Sequence, residues 1–87
     1  MSNVILTVYD TKGEFHLRPM FCRSRGDAVR VFTDAANDKQ TNIGAHPEDY
    51  AAYIVGTWDE VTGAFDIHKP ECLGKAVEYV KKEISHA

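Results

Sequence analysis

Long hydrophobic runs are missing from this sequence. No stretch approaches the ~18 consecutive apolar residues that a membrane-spanning helix needs. The first apolar run, Val4-Ile5-Leu6-Thr7-Val8-Tyr9, is short and stops at Asp10. No basic segment precedes it, so it does not read as a secretory leader, and no membrane partner is expected. Cysteine is scarce: Cys22 and Cys72 are the only two. Far apart and without a secretory signal, they point to reduced thiols inside a cell rather than to a disulfide framework. The six glycines are scattered at turns and build no glycine-rich phosphate loop. Neither a nucleophile elbow nor a Cys-His signature links the two cysteines to His16, His46, His68 or His86. His68 and Cys72 share ligand-like spacing, but a structural zinc site needs four ligands, and nothing in the sequence brings Cys22 and His46 to that pair. No enzymatic activity, no metal and no cofactor are therefore expected.

What is present describes one folded domain over residues 1–87. The chain is 44% apolar and 26% charged, and its four Phe, four Tyr and single Trp need burial, which argues against disorder. A chain of this size buries only about 60–65% of its unfolded surface, so a homodimer is the expected extra support. The net charge of −3 hides an asymmetry. Residues 1–43 carry a net charge of +1 and residues 44–87 a net charge of −4. All four arginines, Arg18, Arg23, Arg25 and Arg30, fall in the first half; the second half uses only lysine. Guanidinium groups suit phosphate and carboxylate better than ammonium does.

Local pattern gives the elements. Residues 3–9 are β-branched and apolar with no helical period, and predict a strand. Thr11-Lys12-Gly13 predicts a turn, with Gly13 free to take positive φ. Residues 14–18 alternate, with Phe15 and Leu17 on one side and His16 and Arg18 on the other, as in a half-buried hairpin strand. Pro19 marks a bulge, an edge or a strand end, and Met20-Phe21-Cys22 extends beyond it. Ser24 caps a helix with Asp27 in its first turn, and Ala28, Val31, Phe32, Ala35 and Ala36 form its apolar stripe. That helix stops at Asn37-Asp38. Residues 38–49 read as a long polar loop. Tyr50–Trp58 predicts a strand with Tyr53, Val55 and Thr57 on one face and Ile54, Gly56 and Trp58 on the other. Asp59–Gly63 is a turn, and Phe65 and Ile67 alternate in a partner strand ended by Pro70. Ala76, Val77, Tyr79, Val80 and Ile84 form a second apolar stripe, with Lys81 and Lys82 at its C-terminus. The order is ββαββα. This is an α+β fold with an antiparallel sheet of about four strands and two helices on one face. The other face is left open to solvent, a partner or a second copy.

Basic residues interleaved with aromatics are the sharpest chemical pattern. His16, Arg18, Phe21, Arg23 and Arg25 lie along one extended segment and its exit, with Tyr9 on the strand before it. Cations along a groove track a single-stranded nucleic-acid backbone, and flat rings stack on its unpaired bases. The candidate DNA-contacting residues are Arg18, Arg23, Arg25, Arg30 and Lys12 for phosphate, and Tyr9, Phe21 and Trp58 for stacking. Alternate aromatics on a strand are also ordinary core residues, and an acidic chain repels polyphosphate at long range. The helix start at Ser24-Arg25-Gly26 has free N–H groups suited to an anion, or is simply a capped helix.

Several segments together carry a resemblance: Val8-Tyr9-Asp10-Thr11-Lys12, Gly26 to Asp38, His46-Pro47-Glu48-Asp49-Tyr50, Gly56-Thr57-Trp58-Asp59-Glu60-Val61-Thr62-Gly63 and Leu73 to Val80. In this order they resemble the small non-structural protein of gokushovirus-type microviruses, which are single-stranded DNA bacteriophages. The resemblance implies a non-enzymatic accessory protein of the host cell cytoplasm. Such a protein binds single-stranded DNA and assists genome replication, or the switch to single-stranded genome synthesis and packaging. A viral or host replication protein is a further partner it implies. The alternative is a protein-interaction adaptor that docks a replication or capsid-assembly protein without touching DNA. A small metal-dependent or thiol enzyme ranks third.

Overall fold

The computed structural model describes residues 2–81. Strand β1 (Ser2–Asp10) is the axis of the sheet. On one side it pairs antiparallel with β2 (Phe15–His16) and β3 (Met20–Cys22). On the other it pairs along its whole length with β4 (Tyr50–Asp59). Strand β5 (Phe65–Lys75) closes the far edge against β4. The five-stranded sheet runs β2-β1-β4-β5, with β3 beside β1 on the same edge as β2. The α+β class and the antiparallel sheet agree with the sequence reading. The expected hairpin partner of β1 is split in two, because Pro19 has no N–H to give the ladder.

Helix α1 (Arg25–Ala36) covers one face. Ser24 caps it, its Oγ accepting from the Asp27 N–H at 3.0 Å. Ala28, Phe32 and Ala36, four residues apart, turn to the sheet and are buried with Leu6, Val8, Cys22, Ala52 and Ile54. Phe32 is 1% exposed, and burying a ring of that size contributes about 2–3 kcal/mol. Arg25 reaches from the first turn to Glu71 on β5 at 2.7 Å, tying the edge strand to the helix layer.

The expected polar loop after α1 is structured. Thr41 opens a one-turn helix α2 (Asn42–Ala45), its Oγ1 accepting from the Gly44 N–H. Pro47–Asp49 then form a 3₁₀ turn that delivers the chain to β4, and Ile43 packs onto the core. Small polar residues hid these turns, whose stability comes from caps rather than from an apolar stripe.

Three further expectations are corrected. Gly13 is not the left-handed residue of the first turn; Glu14 is, at φ 62. The Asp10 carboxylate takes the N–H groups of Lys12 and Gly13, fixing the turn one residue out of phase. Pro70 does not end β5, which continues to Lys75. An edge strand tolerates a missing N–H on its outer side, and the ladder shifts register between Ile54 and Gly56. The second amphipathic helix is a 3₁₀ turn over Ala76–Tyr79, with Val80 extended after it. The Asn37 side chain donates to the Tyr79 carbonyl at 3.0 Å and accepts from the Lys81 N–H at 2.8 Å. It thereby captures backbone groups that a continuing helix would use. Lys82, Ile84 and His86 lie outside the described residues.

Candidate functional site

The face of the sheet opposite α1 is defined by register. Residues directly opposed in an antiparallel pair share a face. Tyr9 opposes His16 and Ala51, Thr7 opposes Tyr53, Ile5 opposes Phe21 and Gly56, and Asn3 opposes Trp58. Tyr53 opposes Cys72, Gly56 opposes Ile67, and Trp58 opposes Phe65. All of these side chains stand on the side away from α1.

Simple alternation placed Tyr53 and Trp58 on opposite faces of their strand, and this is corrected. Leu6 pairs with Ile54 and Ile5 with Gly56, so Val55 is an extra residue, and the ladder shifts there. The bulge reverses the phase of β4 beyond it and brings Trp58 round to the side of Tyr53. Gly56 is required at this point, because a Cβ there would run into the Asp66 carbonyl oxygen of β5.

The open face carries two ring clusters. In the first, the His16 ring lies 4.8 Å from Tyr9 and 5.9 Å from Tyr53, centroid to centroid. Its Nδ1 is 3.1 Å from Thr7 Oγ1, which fixes the imidazole between the two phenols. Burial pushes the Tyr53 hydroxyl up from its ordinary pKa, and Cys72 beside it adds to the shift. The phenol therefore stays neutral and able to donate. In the second cluster Phe21 is 5.2 Å from Trp58 and 6.3 Å from Phe65, with Trp58 6.4 Å from Phe65. Phe21 is 51% and Phe65 59% exposed. The rings are tilted rather than sandwiched.

The predicted cations divide between two places. Arg18 and Arg23 bracket β3 on the edge that carries Phe21, and both are exposed and unpaired among the described residues. Lys12 is exposed in the turn between β1 and β2. Arg25 and Arg30 belong to the helix layer, and each has a carboxylate partner. Arg25 holds Glu71, which raises its pKa further, and Arg30 holds Asp27 at 2.9 Å. The structure thus brings Tyr9, Phe21 and Trp58 to one face with Arg18 and Arg23 at its edge, and keeps Arg25 and Arg30 on the other layer.

The residue pattern placed His16 among the basic and aromatic side chains without counting it as a DNA contact, and it did not single out Tyr53 or Phe65. Phe65 carried a signal only through its alternation with Ile67; the Val55 bulge concealed Tyr53. The anion reading of the α1 start is weakened by Asp27. Its carboxylate takes the Arg23 N–H and Arg30, which hold its pKa below the ordinary value, and so places a negative charge where an anion would sit. The two thiols lie apart. Cys22 is buried under α1, with its pKa raised by burial, and Cys72 stands on the open face. No group of three or more His, Cys, Asp or Glu side chains among the described residues is placed to hold a metal ion.

In comparison with known proteins, residues 3–79 match the model of a family described as the phage ORF5 protein. No curated protein and no solved structure matches the chain.

Proposed function

The chain belongs to the phage ORF5 protein family, and on that footing we propose that it is an accessory protein that binds single-stranded DNA on the open face of its sheet. One observation carries the reading. Phe21, half exposed on an edge strand, lies in a cluster with Trp58 and Phe65, and arginines without ion-pair partners among the described residues stand at both ends of that strand. Each ring that stacks on a base contributes about 1–3 kcal/mol without regard to sequence. Arg18 and Arg23 supply the phosphate contacts, with Lys12 at the margin. Arg25 and Arg30 do not contribute, since both are held by carboxylates behind the sheet. Duplex DNA offers no free π-faces, so the platform discriminates against it. The likeness to the gokushovirus-type non-structural protein extends the proposal to the host cell cytoplasm. There the protein assists replication, or the turn to single-stranded genome synthesis and packaging.

The test is a titration of labelled single-stranded DNA at several salt concentrations, beside a duplex of equal length. Binding weakens with salt, and the single strand is preferred. Changing Arg18→Ala and Arg23→Ala together reduces the slope of log affinity against log salt by about 1.4, at ~0.7 for each phosphate of a single strand that is no longer neutralised. Salt-independent binding, or equal loss from Arg25→Ala with Arg30→Ala, overturns the assignment. A protein-docking adaptor is the second reading, favoured by the exposed apolar side chains of Phe65 and Ile67 on β5. Absence of any DNA binding in the same titration favours it.

A further inference from the structure

We infer that the Tyr9, His16 and Tyr53 cluster is a second base-binding subsite, and that one DNA strand lies along β1 over the whole open face and meets Lys75 at its far end. This rests on the single-stranded DNA reading and gives that ligand a direction and a minimum length. The charged side chains of the strands are sorted by face. Asp10 opposes Tyr50, Asp59 opposes Ser2, Asp66 opposes Thr57 and Glu71 opposes Ile54. By the register rule all four carboxylates stand on the helix side, and they are the only acidic residues in the five strands. Lys75 opposes Ala51, which opposes Tyr9, so it stands on the open face with His16. An acidic chain thus keeps one face free of strand carboxylates, on which a polyanion can lie.

The two ring clusters lie towards opposite ends of β1. The Tyr9 row and the Asn3 row, which holds Trp58 and Phe65, are six residues apart, about 20 Å at ~3.4 Å per residue. Exposed cations follow the same direction. Arg23 comes directly after Cys22, the partner of Val4, and marks the Asn3 end. Arg18 lies between His16, the partner of Tyr9, and Met20, the partner of Leu6, beside the middle of β1. Lys12 in the first turn and Lys75 on β5 mark the Tyr9 end. None of the four is in an ion pair among the described residues. The nearby Glu78 carboxylate is turned to the Lys75 backbone N–H, at 2.7 Å, rather than to its ammonium group. A strand crossing β1 at right angles meets one cluster and leaves the other bare. A strand parallel to β1 meets both, with cations at each end and one between.

The second subsite has its own chemistry. Half-buried Tyr9 and Tyr53 flank the exposed His16 ring. Thr7 holds its Nδ1 at 3.1 Å, which leaves Nε2 for a ligand. Amphipathic rings of this kind take a base by stacking and can hydrogen-bond its edge. A span of about 20 Å is the reach of roughly four nucleotides, the lower end of the ~4–16 that a fold tracking a single strand holds. The ligand is therefore a strand of at least about that length, not a nucleotide or a dinucleotide.

The experiment sets unlabelled oligothymidylates in competition with a labelled dodecamer at one salt concentration. The octamer competes at least about tenfold more tightly than the dimer, because the dimer reaches only one cluster, and the step between them falls near the tetramer. Lys75→Ala lowers the slope of log affinity against log salt for the octamer by about 0.7, the value of one single-strand phosphate. Lys39→Ala, which removes the same charge beyond the end of α1, leaves the slope unchanged. With 5-iodouracil in the octamer, long-wavelength irradiation gives adducts at Tyr9 or Tyr53 as well as at Phe21 or Trp58. A dimer that competes as well as the octamer overturns the inference and leaves the proposed function standing. So does a Lys75→Ala slope no different from that of Lys39→Ala, or a set of adducts confined to Phe21, Trp58 and Phe65. Absence of binding by every oligomer removes both.

Discussion

On the helix side of β1 stand Val4, Leu6 and Val8; on the other side stand Ile5, Thr7 and Tyr9. The first set meets alanines and one phenylalanine from α1, together with Ala52 and Ile54. The second set lies among Tyr53, His16, Phe21 and Trp58. Both come from the same strands at a period of two, so a single backbone serves two purposes. The covered face uses small and aliphatic side chains because a helix must approach closely, and the interior fills to crystal-like density. The open face uses large amphipathic rings, which shield the backbone beneath them while presenting a surface of their own. Ile5 belongs to the open face and is nevertheless buried. That face is therefore roofed by its rings without being sealed by another layer.

The two faces separate most clearly at Phe32. Its ring sits edge-on to Tyr79, with centroids 5.5 Å apart, and it is among the largest fully buried side chains of the described residues. Phe32→Ala removes it from a packed layer and costs about 3–5 kcal/mol, a large share of the stability of so small a domain. Chemical denaturation shows this as a lowered midpoint with the slope retained. The surviving folded fraction keeps wild-type affinity for single-stranded DNA, because nothing on the open face has moved. A folded Phe32→Ala protein that no longer binds would show that the two faces are not independent.

Phe21→Ala is the complementary cut. The side chain is half exposed, so its loss shifts the denaturation midpoint little. It removes one stacking surface and lowers affinity by about 1–3 kcal/mol, or roughly five- to 150-fold. Tyr53→Phe probes the other cluster. It keeps the ring and deletes the neutral hydroxyl, so stacking survives. A drop in affinity as large as that of Phe21→Ala would mean that the face reads base edges as well as base faces.

Much of this division was legible in the residues themselves. Ser24 with Asp27, the stripe Ala28, Phe32 and Ala36, and the Asp59–Gly63 turn are local signals whose physics is complete within one element. The open face was also foreseeable as the side that two hairpins and a helix cannot cover. What escaped depends on contacts between distant segments. The Val55 bulge adjoins Gly56, whose backbone passes close to the Asp66 carbonyl of another strand, and it decides which rings share a face. The partner of Arg25 is likewise tertiary: a guanidinium in the sequence carries no mark of the Glu71 that it meets, 46 residues away, whereas Arg30 finds Asp27 three residues back on its own helix. Asn37 reads as a helix stop, yet its larger role is to hold Tyr79 and Lys81 at the end of the described chain.

The smallest effect is expected from acid, and it asks whether the helix layer can be made to compete for DNA. Asp27 takes the backbone N–H of Arg23 and the Arg30 guanidinium, and these hold its carboxyl below the ordinary value in the folded protein. A lowered folded pKa means that protons bind the unfolded chain more readily. The stabilisation is therefore complete above about pH 4, the unfolded aspartate value, and is lost as pH falls through the lower folded one. Asp59 follows the same sign, because the Val61 and Thr62 N–H groups lower its pKa. Melting temperature thus declines below about pH 4, and in Asp27→Asn the decline is shallower while the value at neutral pH is slightly reduced. The same variant frees Arg30 from its carboxylate. If phosphate contact resides at Arg18 and Arg23, single-stranded DNA affinity at neutral pH stays the same apart from the small, salt-screened gain of one fewer negative charge. A rise of tenfold would transfer the phosphate contact to the α1 layer and leave the open face with stacking alone.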